Sequence, residues 1–278
     1  MADISTELVK ELRELTGLGL MDIKKALAEA GGDKEKALNT LKEKGLAVAV
    51  KRADRDAREG LIAMAGTPAR MAMVKVSCET DFVAKTDDFK KLVAIAGEGF
   101  MKEGEGFLTS AATKELVTAT IGKTGEKVEI KDAVCFAPAE GFVEKYLHSN
   151  SKVGVLIEMK CPAAAASKPA IAELAKDLSM HIAAMNPLAL SPADVSDADK
   201  EEQKALFVKQ MADSGKPPEV LEKIIAGKLA KHLADLCLLE MPFVKDPKIK
   251  VGDLVKKVGK EAGVEVSVAR FKRMQIGK

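Results

Sequence analysis

The sequence predicts an α+β protein: an N-terminal three-helix bundle, then a duplicated core of antiparallel sheets with helices on one face, and an inserted helical hairpin. Three observations predict this class. Apolar residues recur at one-face helical spacing through the first 46 residues, and glycines punctuate them. Two openings, Glu59-Gly60-Leu61-Ile62 and Glu140-Gly141-Phe142-Val143, each lead into a turn, a long apolar strand ending at a cysteine, a helix and a closing strand. Residues 197–236 interrupt the second of these units with two amphipathic, charged helices.

Residues 1–46 form the first module. Ser5 or Thr6 can cap a helix whose apolar positions are Leu8, Val9, Leu12 and Leu15. Gly17-Leu18-Gly19 breaks it, since glycine reaches the backbone conformations of a sharp reversal. A second helix follows with Met21, Ile23, Leu27 and Ala30 on its buried side. Gly31-Gly32 ends it, and Asp33 caps a third helix carrying Ala37, Leu38 and Leu41 towards Gly45. Three short helices with little apolar surface make a bundle similar to ubiquitin-associated domains, which are usually protein-binding modules. Residues 47–58 read as a solvated linker, because Asp54 and Asp56 interleave with Lys51, Arg52, Arg55 and Arg58.

The first core subdomain spans 59–139. Its apolar strand is Met71 to Cys78, with an alternating pattern, its helix runs from Asp88 to about Met101, and Lys127 to Phe136 closes it. The second comprises 140–196 and 237–278, with strand Val153–Cys161, a helix from Lys168 to about Ala184, and a last strand from Val264 to Phe271. The inserted hairpin, 197–236, places Leu206, Phe207 and Met211 on one helix against Val220, Leu221, Ile224, Ile225 and Leu229 on the next. Gly215-Lys216-Pro217-Pro218 supplies the break between them. This stripe reads as the seam of the hairpin itself, with a partner or dimer contact as the alternative.

The most informative segment is Ser77-Cys78-Glu79-Thr80-Asp81-Phe82-Val83-Ala84-Lys85. It joins a strand to a helix that Thr86-Asp87-Asp88 can cap. Phe82 is either a core ring or a wedge for a partner protein. Asp81 before it and Lys85 after it make this turn a polar place for a large apolar ring, which favours the wedge.

Composition excludes several classes of function. Lysine plus arginine (44) nearly balances aspartate plus glutamate (42), so the net charge of +2 carries no polyelectrolyte signal. Tryptophan is absent and aromatics are 4%, which leaves few stacking platforms for single-stranded nucleic acid. No apolar run approaches the ~20 residues of a membrane span, and Met1-Ala2-Asp3-Ile4 shows no secretory signal. A cytoplasmic protein with no direct nucleic-acid or membrane partner is expected. Cys78, Cys135, Cys161 and Cys237 are scattered without zinc-like spacing, and His148, His181 and His232 stand alone. No phosphate loop or nucleophile elbow appears. The residues therefore point to no enzyme, no metal and no cofactor, with a cysteine hydrolase as the remote alternative.

Thr16-Gly17-Leu18-Gly19-Leu20-Met21-Asp22-Ile23-Lys24-Lys25-Ala26-Leu27 and Thr80-Asp81-Phe82-Val83 resemble the two signatures of bacterial elongation factor Ts. The order of parts matches that family over essentially the whole chain, and Ser214-Gly215-Lys216-Pro217 at the hairpin turn resembles it as well. The resemblance implies binding to elongation factor Tu and promotion of GDP release by disturbing its magnesium and nucleotide site. It implies that Thr80, Asp81, Phe82 and Val83 form the invading turn, with Asp81 and Phe82 as the invading pair. It implies further contacts through Arg13, Leu20, Met21, Ile121, Gly122, His148 and Val244, and a possible homodimer within a 2:2 complex. After Ile121-Gly122 this chain has Lys123-Thr124-Gly125-Glu126, whereas the family commonly places a glutamate directly after the glycine. Alternatives of another class are a ubiquitin-associated-like adaptor or a ribosome-associated factor using the basic segment from Lys51 to Arg58.

Overall fold

The computed structural model describes residues 5–16, 18–211 and 217–277. The expectations placed on Met1–Ile4, Gly17 and Ser214-Gly215-Lys216 lie outside the described residues. The chain divides into two compact units. One holds the residues through Cys135 together with Leu147–Gly154 and the segment from Met274; the other holds Phe136–Tyr146 and Val155–Arg273.

In the first unit, α1 (Thr6–Thr16), α2 (Leu20–Glu29) and α3 (Lys34–Arg52) bury Val9, Leu12, Ile23, Ala26, Leu27, Ala37 and Leu41 against one another. Ser5 Oγ accepts the Leu8 N–H at the start of α1, and the Asp33 carboxylate accepts the Lys36 N–H at the start of α3. The buried face of α2 is Ile23, Ala26 and Leu27. Met21 is not part of it: at 76% exposure it faces away, two residues and about 200° of helix before Ile23. The third helix also runs past Gly45 to Arg52, through the first half of the expected linker. Its continuation is stabilised by Val48 and Ala49, which pack on the core of the following sheet and helices.

That core is built on β1 (Glu59–Thr67) and β2 (Arg70–Cys78), an antiparallel hairpin, with β3 (Val128–Phe136) beside β2. Between β2 and β3 come α4 (Asp81–Ala84), α5 (Asp87–Glu103), α6 (Glu105–Thr109) and α7 (Ala111–Thr124). Phe89, Leu92, Val93, Ala96 and Phe100 of α5 pack on Ala63, Ala72, Val74, Val76 and Cys78. Met71 to Cys78 is buried on both faces of β2. The reverse face is covered by the Leu147–Gly154 segment, where a Cβ on Gly154 would sit 2.8 Å from Met73 Sδ. The chain end covers it too, where the Gln275 carbonyl accepts from Lys75 Nζ at 2.6 Å.

The second unit is organised around the sheet β4 (Phe142–Leu147), β5 (Val153–Lys160) and β8 (Ser267–Gln275), in that order. Its core joins Val155, Ile157 and Met159 of β5 to Ile171, Leu174, Ala175, Leu178 and Ile182 of α8 (Pro169–Met185). The hairpin helices α9 (Asp197–Met211) and α10 (Pro218–Leu236) follow, then β6 (Pro242–Phe243), β7 (Asp246–Lys250) and α11 (Val251–Ala262). The seam between α9 and α10 sets Phe207 edge-on to His232, with ring centroids 5.8 Å apart. Leu206, expected on that seam, is exposed. The last strand begins at Ser267 rather than Val264, because Gly263 and Val264 end α11 through the left-handed cap and the Val264 N–H to Gly259 carbonyl bond.

The duplication appears in backbone detail. Gly60 (φ +144°) and Gly141 (φ +102°) each press against a strand carbonyl two residues before the cysteine. A Cβ would lie 2.1 Å from the Val76 oxygen in the first unit and 1.9 Å from the Met159 oxygen in the second. No side chain fits at either place.

Candidate functional site

The strand-to-helix turn after β2 presents the site. Thr80 is extended (φ −124°, ψ 157°) and caps α4, its Oγ1 accepting the Val83 N–H at 3.3 Å. Thr86 repeats the device for α5 by accepting the Phe89 N–H at 3.3 Å. Two caps six residues apart reduce α4 to a single turn and fix which of its residues face outward. Val83 and Ala84 face the core and are buried. Phe82 faces out and is 78% exposed, the most exposed large apolar side chain among the described residues. The core reading of this ring is therefore excluded.

Asp81 sits beside it and pairs with Lys85, Oδ2 to Nζ at 2.6 Å. Lys85 Nζ also lies 5.9 Å from the centre of the Phe82 ring. The hydrogen bond from Lys85, with help from the charge of Lys152, holds the Asp81 carboxyl below the ordinary carboxylate range despite some desolvation. Asp81 is thus a carboxylate at neutral pH. Lys152 itself is engaged with Glu59 at 2.6 Å, and Glu59 is the residue that opens β1.

Two glutamates absent from the sequence-based site hold this turn. The Glu79 carboxylate accepts from Arg52 Nη1 (3.0 Å), Arg55 Nη1 (3.1 Å) and the Lys127 N–H (2.7 Å). Glu126 accepts from the Thr80 N–H (3.0 Å) and Thr80 Oγ1 (2.7 Å). Desolvation works to raise the Glu79 pKa, but the Lys127 N–H, Arg55 and Arg52 outweigh it and the group ends below its usual range. The expected solvated linker is therefore half structural, with Arg52 and Arg55 bound to Glu79, while Lys51 is exposed and Arg58 makes an exposed pair with Asp56. No local periodicity reports pairs this far apart along the chain. The one available signal was the spacing of Arg52 and Arg55, which suits two guanidiniums on one carboxylate.

The other residues singled out from the sequence fall at several places. Arg13 is exposed in the last turn of α1, and Leu20 and Met21 are exposed at the start of α2. Leu15, read from the sequence as one of the apolar-face positions of α1, is exposed as well and lies outside the core of the bundle. Ile121 is buried in the core of the first unit, so its side chain is not available to a partner. Gly122 next to it is half-buried, where a Cβ would lie 3.6 Å from both the Gly45 Cα and Leu18 Cδ2. His148 is exposed in the turn after β4, its backbone N–H bonded to the Val153 carbonyl. Val244 belongs to the second unit, where it is exposed between β6 and β7 and its N–H donates to His181 Nδ1 at 3.2 Å. His181 is fully buried, and burial lowers its pKa, so it accepts that bond as a neutral imidazole.

Nucleophilic chemistry finds little support here. The Cys78 thiol is buried and donates to the Thr80 carbonyl at 3.2 Å. Desolvation, followed by the charges of Glu126 and Glu59, pushes its pKa up to about 12. A thiol in that state is a poor nucleophile at neutral pH. Among the described residues no cluster of three or more His, Cys, Asp or Glu side chains could hold a metal ion, and no helix is long and apolar enough to cross a membrane.

Residues 79–278 match the family model described as "Elongation factor TS". Among curated proteins, one from Bdellovibrio bacteriovorus named "Elongation factor Ts" is 42% identical, the match covering 99% of this chain and 92% of that protein. A protein of the same name from Clostridium perfringens is 37% identical over 99% of this chain and 93% of its own length. Another, from Prosthecochloris aestuarii, is 37% identical with both chains covered completely.

Proposed function

The chain belongs to the elongation factor Ts family, and we propose that it acts in translation by binding elongation factor Tu and accelerating its release of GDP. The observation that carries this reading is the Phe82 ring, 78% exposed on a one-turn helix whose caps and ion pairs fix its direction. Fully burying such a ring is worth about 1.5–3 kcal/mol. A protein that leaves it in water forgoes that stabilisation until a partner supplies the pocket.

The task asks for contacts and no bond chemistry. A factor that binds nucleotide-free elongation factor Tu more tightly than the GDP complex must weaken GDP by the same factor. The turn enters beside the magnesium and nucleotide site, where Phe82 displaces the groups that hold the ion. Mg²⁺ requires near-octahedral oxygens at about 2.0–2.1 Å, so small shifts suffice to loosen it. Without the ion the diphosphate loses its counter-charge and leaves, after which GTP can bind. Asp81, held ionised by Lys85, adds negative charge at the same place. The exposed Arg13, Leu20 and Met21 surface supplies the grip on elongation factor Tu, with His148 and Val244 as further contacts. Gly122 contributes only backbone or shape, and Ile121 supports it from the core.

The test is release of a fluorescent GDP analogue from elongation factor Tu. The wild-type chain should accelerate release, and Phe82→Ala should lower that acceleration by roughly 10- to 100-fold, the kinetic equivalent of the lost burial. Its folding stability should change by less than about 0.5 kcal/mol, since the ring touches little of its own chain. Equal release with both proteins would remove Phe82 from the mechanism, and no acceleration by wild type would overturn the function.

A further inference from the structure

Glu79 and Glu126 hold the turn through a reciprocal arrangement. Residues 79–80 and 126–127 lie side by side, and each glutamate binds the backbone N–H of the residue that follows the other glutamate. Glu79 accepts from the Lys127 N–H at 2.7 Å, and Glu126 accepts from the Thr80 N–H at 3.0 Å. Each carboxylate then takes further donors: Thr80 Oγ1 at 2.7 Å on Glu126, Arg52 and Arg55 on Glu79. Arg52 ends α3, the helix whose first half contributes Ala37 and Leu41 to the N-terminal bundle.

We propose that this carboxylate clasp is the positioning device of the Thr80–Val83 turn, with Glu126 as the residue that orients the Phe82-bearing helix. The inference rests on the exchange reading above. Thr80 has one hydroxyl proton, given to Glu126, and its Oγ1 lone pair receives the Val83 N–H. The bond to Glu126 therefore sets the direction in which Thr80 caps α4, and α4 carries the exposed ring. The Thr80 N–H goes to one oxygen of Glu126 and Thr80 Oγ1 to the other, so a carboxamide in the same place would present an NH2 donor to one of them. A ring fixed in advance also avoids the ordering cost that binding would otherwise incur. Glu126 touches no partner in this scheme and acts only through Thr80.

The chain contains no tryptophan, so Phe82→Trp places a single reporter on the turn. In that background Glu126→Ala should increase the nanosecond motion of the introduced indole, seen as faster fluorescence anisotropy decay without any partner. With Phe82 in place, Glu126→Ala should lower the maximal rate of GDP release from elongation factor Tu about tenfold, as expected for loss of one such hydrogen-bonded hold. The concentration giving half-maximal rate should move less than about twofold, because the grip through Leu20 and Met21 is untouched. Glu126→Gln keeps one acceptor and should fall between, at roughly threefold. Unchanged anisotropy and unchanged maximal rate would overturn the clasp. So would a rate loss that appears only as a raised half-saturation concentration with a still indole, which marks a direct partner contact. If wild type releases no GDP, the functional reading fails while the anisotropy result decides the clasp on its own.

Discussion

The turn after β2 and the turn after β5 occupy the same place in the two repeats and are built from opposite materials. Both follow a strand with a buried cysteine at its end, Cys78 as the last residue of β2 and Cys161 just past β5, and both lead into the long helix that covers the sheet. The first carries Glu79, Thr80, Asp81 and Phe82, two side-chain caps and a ring in water. The second reads Pro162-Ala163-Ala164-Ala165, a 3₁₀ turn with no side-chain cap, and Ala165 is buried at 1% exposure. At the start of α8, Lys168 likewise offers no side-chain cap, and Pro169 begins the helix instead. The fold itself requires only a tight reversal, which proline and alanines provide. The polar anchors and the exposed ring of the first turn exceed that requirement, and the excess is what the proposed exchange activity uses.

The strongest test of the shared frame is to substitute alanine at Gly60 and at Gly141. Each Cβ would meet a strand carbonyl oxygen at 2.1 Å or closer, in a backbone region that L-residues avoid. Each should cost about 4 kcal/mol or more in urea unfolding of its unit. A small effect at either glycine would mean that the two strand openings are not equivalent.

The next test exchanges the turns' contents. Ala165→Phe forces a ring into the packed core of Ile171, Leu174 and their neighbours and should destabilise the second unit by about 3 kcal/mol. Measured on the folded fraction, GDP release should be unaffected. Phe82→Ala should do the reverse, impairing release while leaving the melting temperature in place. If Ala165→Phe were tolerated, or slowed release without loss of stability, the second turn would not be the plain structural member of the pair.

Much of this contrast was legible in the sequence. The two glycine-led openings, the cysteine-ended strands and the order of helices are local patterns, and the structure reproduces them at Gly60, Gly141, Cys78 and Cys161. Phe82 stood out because its neighbours are charged. Features decided by distant residues were not legible. Met21 matches a helical apolar period, yet Ile23, Ala26 and Leu27 complete the buried face without it. The pattern of β2 marks a strand but not what covers its second face, which is closed by segments some 80 and 200 residues downstream. Arg52 and Arg55 read as solvated beside Asp54 and Asp56, but Glu79 binds both and Glu126 holds Thr80. Pairs separated by 24 to 48 residues leave no periodic trace, so the ring was visible in the sequence and its support was not.

The same distinction gives the smallest expected effect, a local response to acid. Glu79 has a folded pKa below its unfolded value, because the Lys127 N–H, Arg55 and Arg52 together outweigh desolvation. Its contribution is therefore complete above the unfolded value of about 4.3 and is lost as pH falls through the lower folded value. Hydrogen-exchange protection of the Lys127 amide, corrected for intrinsic rates, should stay level from pH 7 to about 5 and fall once the pH drops below the unfolded value. The second turn has no such carboxylate: the Ala165 N–H bonds the Pro162 carbonyl at 2.8 Å, and its protection should remain flat. The Gly125 amide, bonded to the Ile121 carbonyl at 2.8 Å, serves as the control within the first unit. If Gly125 lost protection together with Lys127, acid would be unfolding the unit rather than opening the turn. Loss at Lys127 alone would identify the anchored turn as the part of the duplicated frame held by charge, where its counterpart is held by packing.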